Sequence, residues 1–207
     1  RSLSDVTVDM SKTLNPNTSG LLYNWRMDEA DGTIANDAIR ARNATITEAQ
    51  WQINPNGSTA QVDGVDDVVD ISSLNAGGIT KEMDFTIEFW YKSAQATQAG
   101  LFSNGKGDGI GADTLGLTWS IQKDVLGKIH VFHKGIDFIA VEDNSFDGQW
   151  HHFALVMQRS STLSAYLDGN LKNSMIATSF NEVGFKSMTL GARGYEVGSV
   201  KTYDNNF

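Results

Sequence analysis

The run Phe85-Thr86-Ile87-Glu88-Phe89-Trp90-Tyr91-Lys92 alternates with period two. In an extended chain Phe85, Ile87, Phe89 and Tyr91 fall on one face, and Thr86, Glu88, Trp90 and Lys92 fall on the other. A helix would scatter the same aromatic residues around its circumference. The pattern therefore predicts a β-strand with one face in an apolar core. His151-His152-Phe153-Ala154-Leu155-Val156-Met157 repeats the device: His151, Phe153, Leu155 and Met157 alternate with His152, Ala154 and Val156. So does Leu163-Ser164-Ala165-Tyr166-Leu167. Further short runs read as strands at Leu21–Met27, Thr59–Val62, Val68–Ile71, Gly100–Ser103, Leu115–Gln122, Lys128–His133, Phe138–Val141, Leu171–Ile176 and Ser187–Leu190. Asp147-Gly148 and Asp168-Gly169 supply the positive φ of tight turns between them. Many short strands with turn signals between them predict an all-β sandwich.

The first residues differ. Ser4 suits the cap of a short helix carrying Val6, Val8 and Met10, and Asn15-Pro16-Asn17-Thr18-Ser19-Gly20 reads as a linker. This divides the chain into residues 1–19 and a sandwich domain over residues 20–207.

Composition narrows the class. The chain has 207 residues and no cysteine, which excludes disulfides and thiolate metal sites. It carries 25 Asp+Glu against 16 Lys+Arg, a net charge of -9, with no basic stripe that would track a phosphate backbone. No run approaches the ~18 apolar residues of a membrane-spanning helix. Nucleic acid and membrane insertion are thus disfavoured.

Several segments resemble the laminin G-like, concanavalin A-like domains of bacterial surface proteins. They are Leu21–Thr33, Asp37–Ile46, Val62-Asp63-Gly64-Val65-Asp66-Asp67-Val68-Val69, Phe85–Lys92, Phe146-Asp147-Gly148-Gln149-Trp150-His151-His152-Phe153-Ala154, Tyr166-Leu167-Asp168-Gly169 and Leu190-Gly191-Ala192. They stand in the family's order across residues 20 to 194. The resemblance implies a two-sheet antiparallel jelly-roll sandwich. It also implies that Arg1–Asp5 matches the tail of a preceding repeat, and that the domain's own closing strand is missing after Phe207.

The same resemblance implies a structural calcium. Asp37 and Asn43 sit where relatives supply side-chain oxygens, and the Asp63-Gly64 turn offers a backbone carbonyl to a hard cation. The competing reading makes Asp37 and Asn43 ordinary loop residues closing Asx-turns. Asp66, Asp67 and Asp70 are read as a solvated acidic face. His151 and His152, being adjacent, point to opposite faces and cannot easily chelate one metal. They are read as structural, with one side chain bonded to backbone.

No strand pairs two carboxylates on one face as retaining glycosidases on this fold require. There is no nucleophile elbow or His-Glu-x-x-His pair. A non-catalytic role follows. Trp119, Tyr195, Tyr203 and His133 are the aromatic candidates for a glycan platform. Trp25, Trp90 and Trp150 occupy family positions and are read as core or inter-sheet packing, with Trp51 packing a loop. The expected function is an extracellular binding or adhesion module of a secreted or cell-surface repeat protein, with a glycan or protein ligand and neighbouring repeats as partners. The alternatives are a spacer without ligand and an accessory domain of a glycan-degrading enzyme.

Overall fold

The computed structural model describes residues 3–55, 57–71, 79–80, 82–103, 119–133, 135–180, 188–197 and 200–204. Among the described residues one helix, α1 (Leu3–Asp9), precedes sixteen strands. The first eight are β1 (Ile34–Ala35), β2 (Ala44–Thr47), β3 (Gln50–Asn54), β4 (Gly57–Gln61), β5 (Val68–Ile71), β6 (Phe85–Lys92), β7 (Ala99–Ser103) and β8 (Trp119–Lys123). The rest are β9 (Ile129–His133), β10 (Ile136–Val141), β11 (Trp150–Met157), β12 (Thr162–Leu167), β13 (Asn170–Ile176), β14 (Met188–Leu190), β15 (Arg193–Val197) and β16 (Val200–Asp204). A 3-10 turn, Ala177–Phe180, follows β13.

Two antiparallel sheets make the sandwich. The larger runs β1-β2-β5-β14-β7-β8-β9-β10 and the smaller β13-β12-β11-β6. Hairpins β3-β4 and β15-β16 stand beside them. The period-two runs set the register of the smaller sheet: Phe89 pairs with Phe153, Ile87 with Leu155 and Phe85 with Met157. Phe153, Leu155, Met157, Leu163, Ala165 and Leu167 all enter one core with Ile71, Phe102, Ile121, Ile129 and Val131 of the larger sheet. The all-β two-sheet expectation holds.

Leu21–Met27 departs from its expected strand. Only Trp25 makes a bridge, to Asp37, while Leu22, Tyr23 and Trp25 pack against the core as irregular chain. The alternation there buries side chains without a continuous backbone partner. β3 is missing from the strands expected above: Gln50-Trp51-Gln52-Ile53-Asn54 has only the pair Trp51 and Ile53 on its apolar face and is largely exposed.

Seven residues make a helix too short to persist alone in water. Its stability comes from docking. Val6 is fully buried among Ala154, Val156 and Tyr166, on the outer face of the smaller sheet. Thr7 and Met10 lie against the Asp168-Gly169 turn. Residues 1–19 therefore include a segment that packs on the sandwich.

Candidate functional site

The Asp63-Gly64-Val65-Asp66-Asp67 loop joins β4 to β5. Gly64 takes φ 82°. The Asp63 carboxylate accepts the Val65 amide at 2.8 Å, and Asp67 Oδ2 accepts the Asp63 amide at 2.6 Å. These local bonds draw the carboxylates of Asp63, Asp66 and Asp67 to within 4.8 Å of one another. Opposite them the β3-β4 hairpin sets Gln50 against Gln61, with Gln52 on the same strand face as Gln50. Glu48, at φ 61°, closes the near end. Together Glu48, Gln50, Gln52, Gln61, Asp63, Asp66 and Asp67 line an open groove of about 350 Å³. Four carboxylates and three amides make it acidic and rich in both donors and acceptors.

Asp67 is almost fully buried. Burial pushes its carboxyl above the ordinary carboxylate range; the Asp63 amide opposes this, while the charges of Asp63, Asp66 and Glu48 reinforce it. A cation at the groove would relieve that repulsion. The reading of Asp67 as part of a solvated face is thus corrected by its burial, whereas Asp66 is exposed as expected and lies beside Asp63. Asp70 stays apart, paired on β5 with Thr45 and Thr189.

The expected calcium ligands are divided by the structure. Asp37 Oδ1 accepts the amides of Asn24 and Ile39, and Oδ2 accepts those of Arg40 and Arg42. Asn43 Oδ1 accepts the Asp37 amide, and its Nδ2 donates to Asn36. Asp37 is thus a loop-closing anion whose oxygens already face four N–H groups. A cation would have to displace those donors, so Asp37 does not fit the metal, while Asn43 Oδ1 is engaged by the Asp37 amide. Asp63 does fit by donor type, with Asp66 and Asp67 rather than with Asp37.

The aromatic candidates are likewise rearranged. Trp119 and His133 are each only 3% exposed. Trp119 packs on Phe85 and Phe102, and His133 on Phe180. Neither offers a ring face to a sugar, because their strands turn both inward. Tyr195 and Tyr203 sit on the paired strands β15 and β16, with Tyr203 opposite Gly194 and Tyr195 opposite Thr202. Trp90 and Trp150, read as packing residues, are 48% and 47% exposed on the outer face of the smaller sheet. Trp25 is half-buried, stacked on Tyr23 and bonded to the Arg42 carbonyl. Trp51 belongs to β3 and ties that hairpin to Gly32 through its indole N–H.

The two adjacent histidines do face opposite ways. His152 is buried under Trp90 on the outer face, while the His151 ring meets Tyr91 and the carboxylates of Asp147 and Asp168. The expected side-chain bond to backbone is replaced by carboxylate contacts. Burial holds His152 below the ordinary histidine range, offset in part by Asp168 and Asp9.

A family model described as the concanavalin A-like lectin/glucanases superfamily matches residues 63–204. The chain belongs to this superfamily, as a laminin G-like domain. Among solved structures the domain is similar to the binding domain of Paraclostridial Mosquitocidal Protein 1. That match has TM-score 0.62 and 14% identity, over 82% of this chain and 44% of the other. The receptor binding domain of botulinum neurotoxin D matches with TM-score 0.56 and 14% identity, over 82% and 44%. That of the botulinum neurotoxin C/D mosaic serotype matches with TM-score 0.55 and 15% identity, over 90% and 44%. At these identities the likeness establishes the fold. The domain spans less than half the length of these structures. No curated protein matches the sequence. No helix among the described residues is long and apolar enough to cross a membrane.

Proposed function

We propose that this laminin G-like domain is a non-catalytic, extracellular binding module that holds a glycan or a protein surface in the Glu48–Asp67 groove. The carrying observation is the groove itself. Its three glutamine amides and four carboxylates are arrayed along an open furrow. Such a lining suits a polyhydroxyl ligand, since carboxylates accept from hydroxyls while amides both donate and accept. The superfamily and the receptor-binding role named for the structural relatives support binding over chemistry. Calcium belongs to the same reading. Asp63, Asp66 and Asp67 offer the hard oxygens such a cation takes.

A glycan array, read alongside calcium titration of thermal stability, tests the proposal. Binding that is lost in Gln50→Ala and Gln61→Ala supports the groove. Silence on the array together with no thermal response to calcium refutes the glycan and calcium parts of the proposal and favours the spacer role.

A further inference from the structure

His151 lies between two carboxylates that belong to different turns. Its Nδ1 is 2.8 Å from Asp168 Oδ2, and its Nε2 is 3.2 Å from Asp147 Oδ1. A neutral imidazole carries a single N–H, so it can satisfy only one of these acceptors. The imidazolium has two and satisfies both. We propose that His151 is a proton-dependent clasp, which as imidazolium bonds the Asp147-Gly148 turn and the Asp168-Gly169 turn at once and on losing its proton gives up one of the two bonds.

Both carboxylates are fixed by backbone, so they cannot swing away freely. Asp147 Oδ1 also accepts the Gln149 amide at 2.8 Å, and the Gly148 amide donates to the Ser93 carbonyl at 2.9 Å. Asp168 Oδ1 accepts the His152 amide at 2.9 Å, and the Asp168 amide donates to the His152 carbonyl at 2.9 Å. Asp168, Gly169 and Gly148 all adopt positive φ, of 50°, 73° and 82°. With the proton gone, one imidazole lone pair faces a carboxylate held in place. The third wall of the site is Tyr91, opposite His151 on β6, whose hydroxyl bonds Ser145 and which burial keeps protonated far into the alkaline range. Asp147, Asp168 and Tyr91 are thus the titratable groups around the ring, and His152 is turned to the opposite face of β11.

The direction agrees with this geometry. Burial opposes the charge on His151, but the bonds to Asp168 and Asp147 outweigh it and hold the ring above its ordinary range. The clasp's contribution to stability is complete below the ordinary histidine pKa of about 6.5 and fades as pH rises through the folded value. α1 is coupled to this event, because Thr7 and Met10 rest on the Asp168-Gly169 turn.

NMR titration of the histidine ring and backbone amides tests the clasp. We expect a His151 midpoint above about 6.5, with the Gly148 and Gly169 amides titrating in step. Asp147→Asn should lower the midpoint while leaving the fold intact. His151→Gln should leave the two glycine amides without that titration. A midpoint at or below 6.5, glycine amides that stay flat through it, or a midpoint indifferent to Asp147→Asn would each overturn the proposal.

Discussion

Replacing Asp37 with alanine removes one carboxylate and strands four backbone donors, from Asn24, Ile39, Arg40 and Arg42. Two of the contacts are 2.8 Å, one 3.1 Å and one 3.3 Å. A hydrogen bond to a charged group contributes about 1.5–3 kcal/mol net. Counting only the two shortest, and allowing water to reach part of the half-open loop, gives a loss of about 3–5 kcal/mol. That is a large part of the roughly 5–15 kcal/mol that holds a domain together. At about 2–4 °C per kcal/mol for this size, the melting temperature falls by roughly 6–20 °C. Asp37→Asn keeps one acceptor oxygen and should lose about half as much. Urea melts and thermal melts followed by tryptophan fluorescence, run with calcium and with chelator, give the free energies and the melting temperatures. If Asp37→Ala loses less than about 1 kcal/mol, the carboxylate does not organise the loop. If calcium stabilises the parent but not Asp37→Asn, then Asp37 is a cation ligand after all.

Three other substitutions probe the same structure. Trp119→Ala should lose about 3–5 kcal/mol, as large buried aromatics do, whereas Trp90→Ser should lose under about 1 kcal/mol; equal losses in denaturant melts would contradict their opposite burial. Val6→Asp should free α1, so that limited proteolysis cuts within residues 10–20 while the main unfolding transition is kept; unchanged protection would show that Val6 does not anchor the helix. Asp67→Asn should stabilise the domain near neutral pH in chelator, because the fold disfavours the charged carboxylate. That gain is full above the raised folded pKa and vanishes below the ordinary value of 3.8. A gain that persists at acid pH, or a loss at neutral pH, would remove the argument from repulsion.

The sandwich was legible in the sequence because short apolar or period-two runs, bounded by turn residues, mark its core strands. Phe85–Lys92 and His151–Met157 show which side chains go inward, and the structure pairs them in that register. Turn chemistry was equally local: Asp168-Gly169 and Asp147-Gly148 called for positive φ, and Asp168, Gly169 and Gly148 have it. The segments resembling laminin G-like domains named the superfamily for the same reason, since each combines a core pattern with a turn.

The site was another matter. Parity within one strand says which residues share a face, but not whether that face meets a second sheet, a helix or water. Trp90 shared its side with Glu88 and Lys92, yet only the packed structure placed that side outward. Trp119 went inward because its face of β8 meets Phe85 of the smaller sheet. The groove lies within residues 48–67, yet no periodicity in the sequence reports it. Gln50, Gln52 and Gln61 meet Asp63, Asp66 and Asp67 only because an exposed hairpin folds back beside a loop. Local spacing sets backbone form and core faces, whereas which faces are covered and which polar groups converge is decided by how sheets and loops pack.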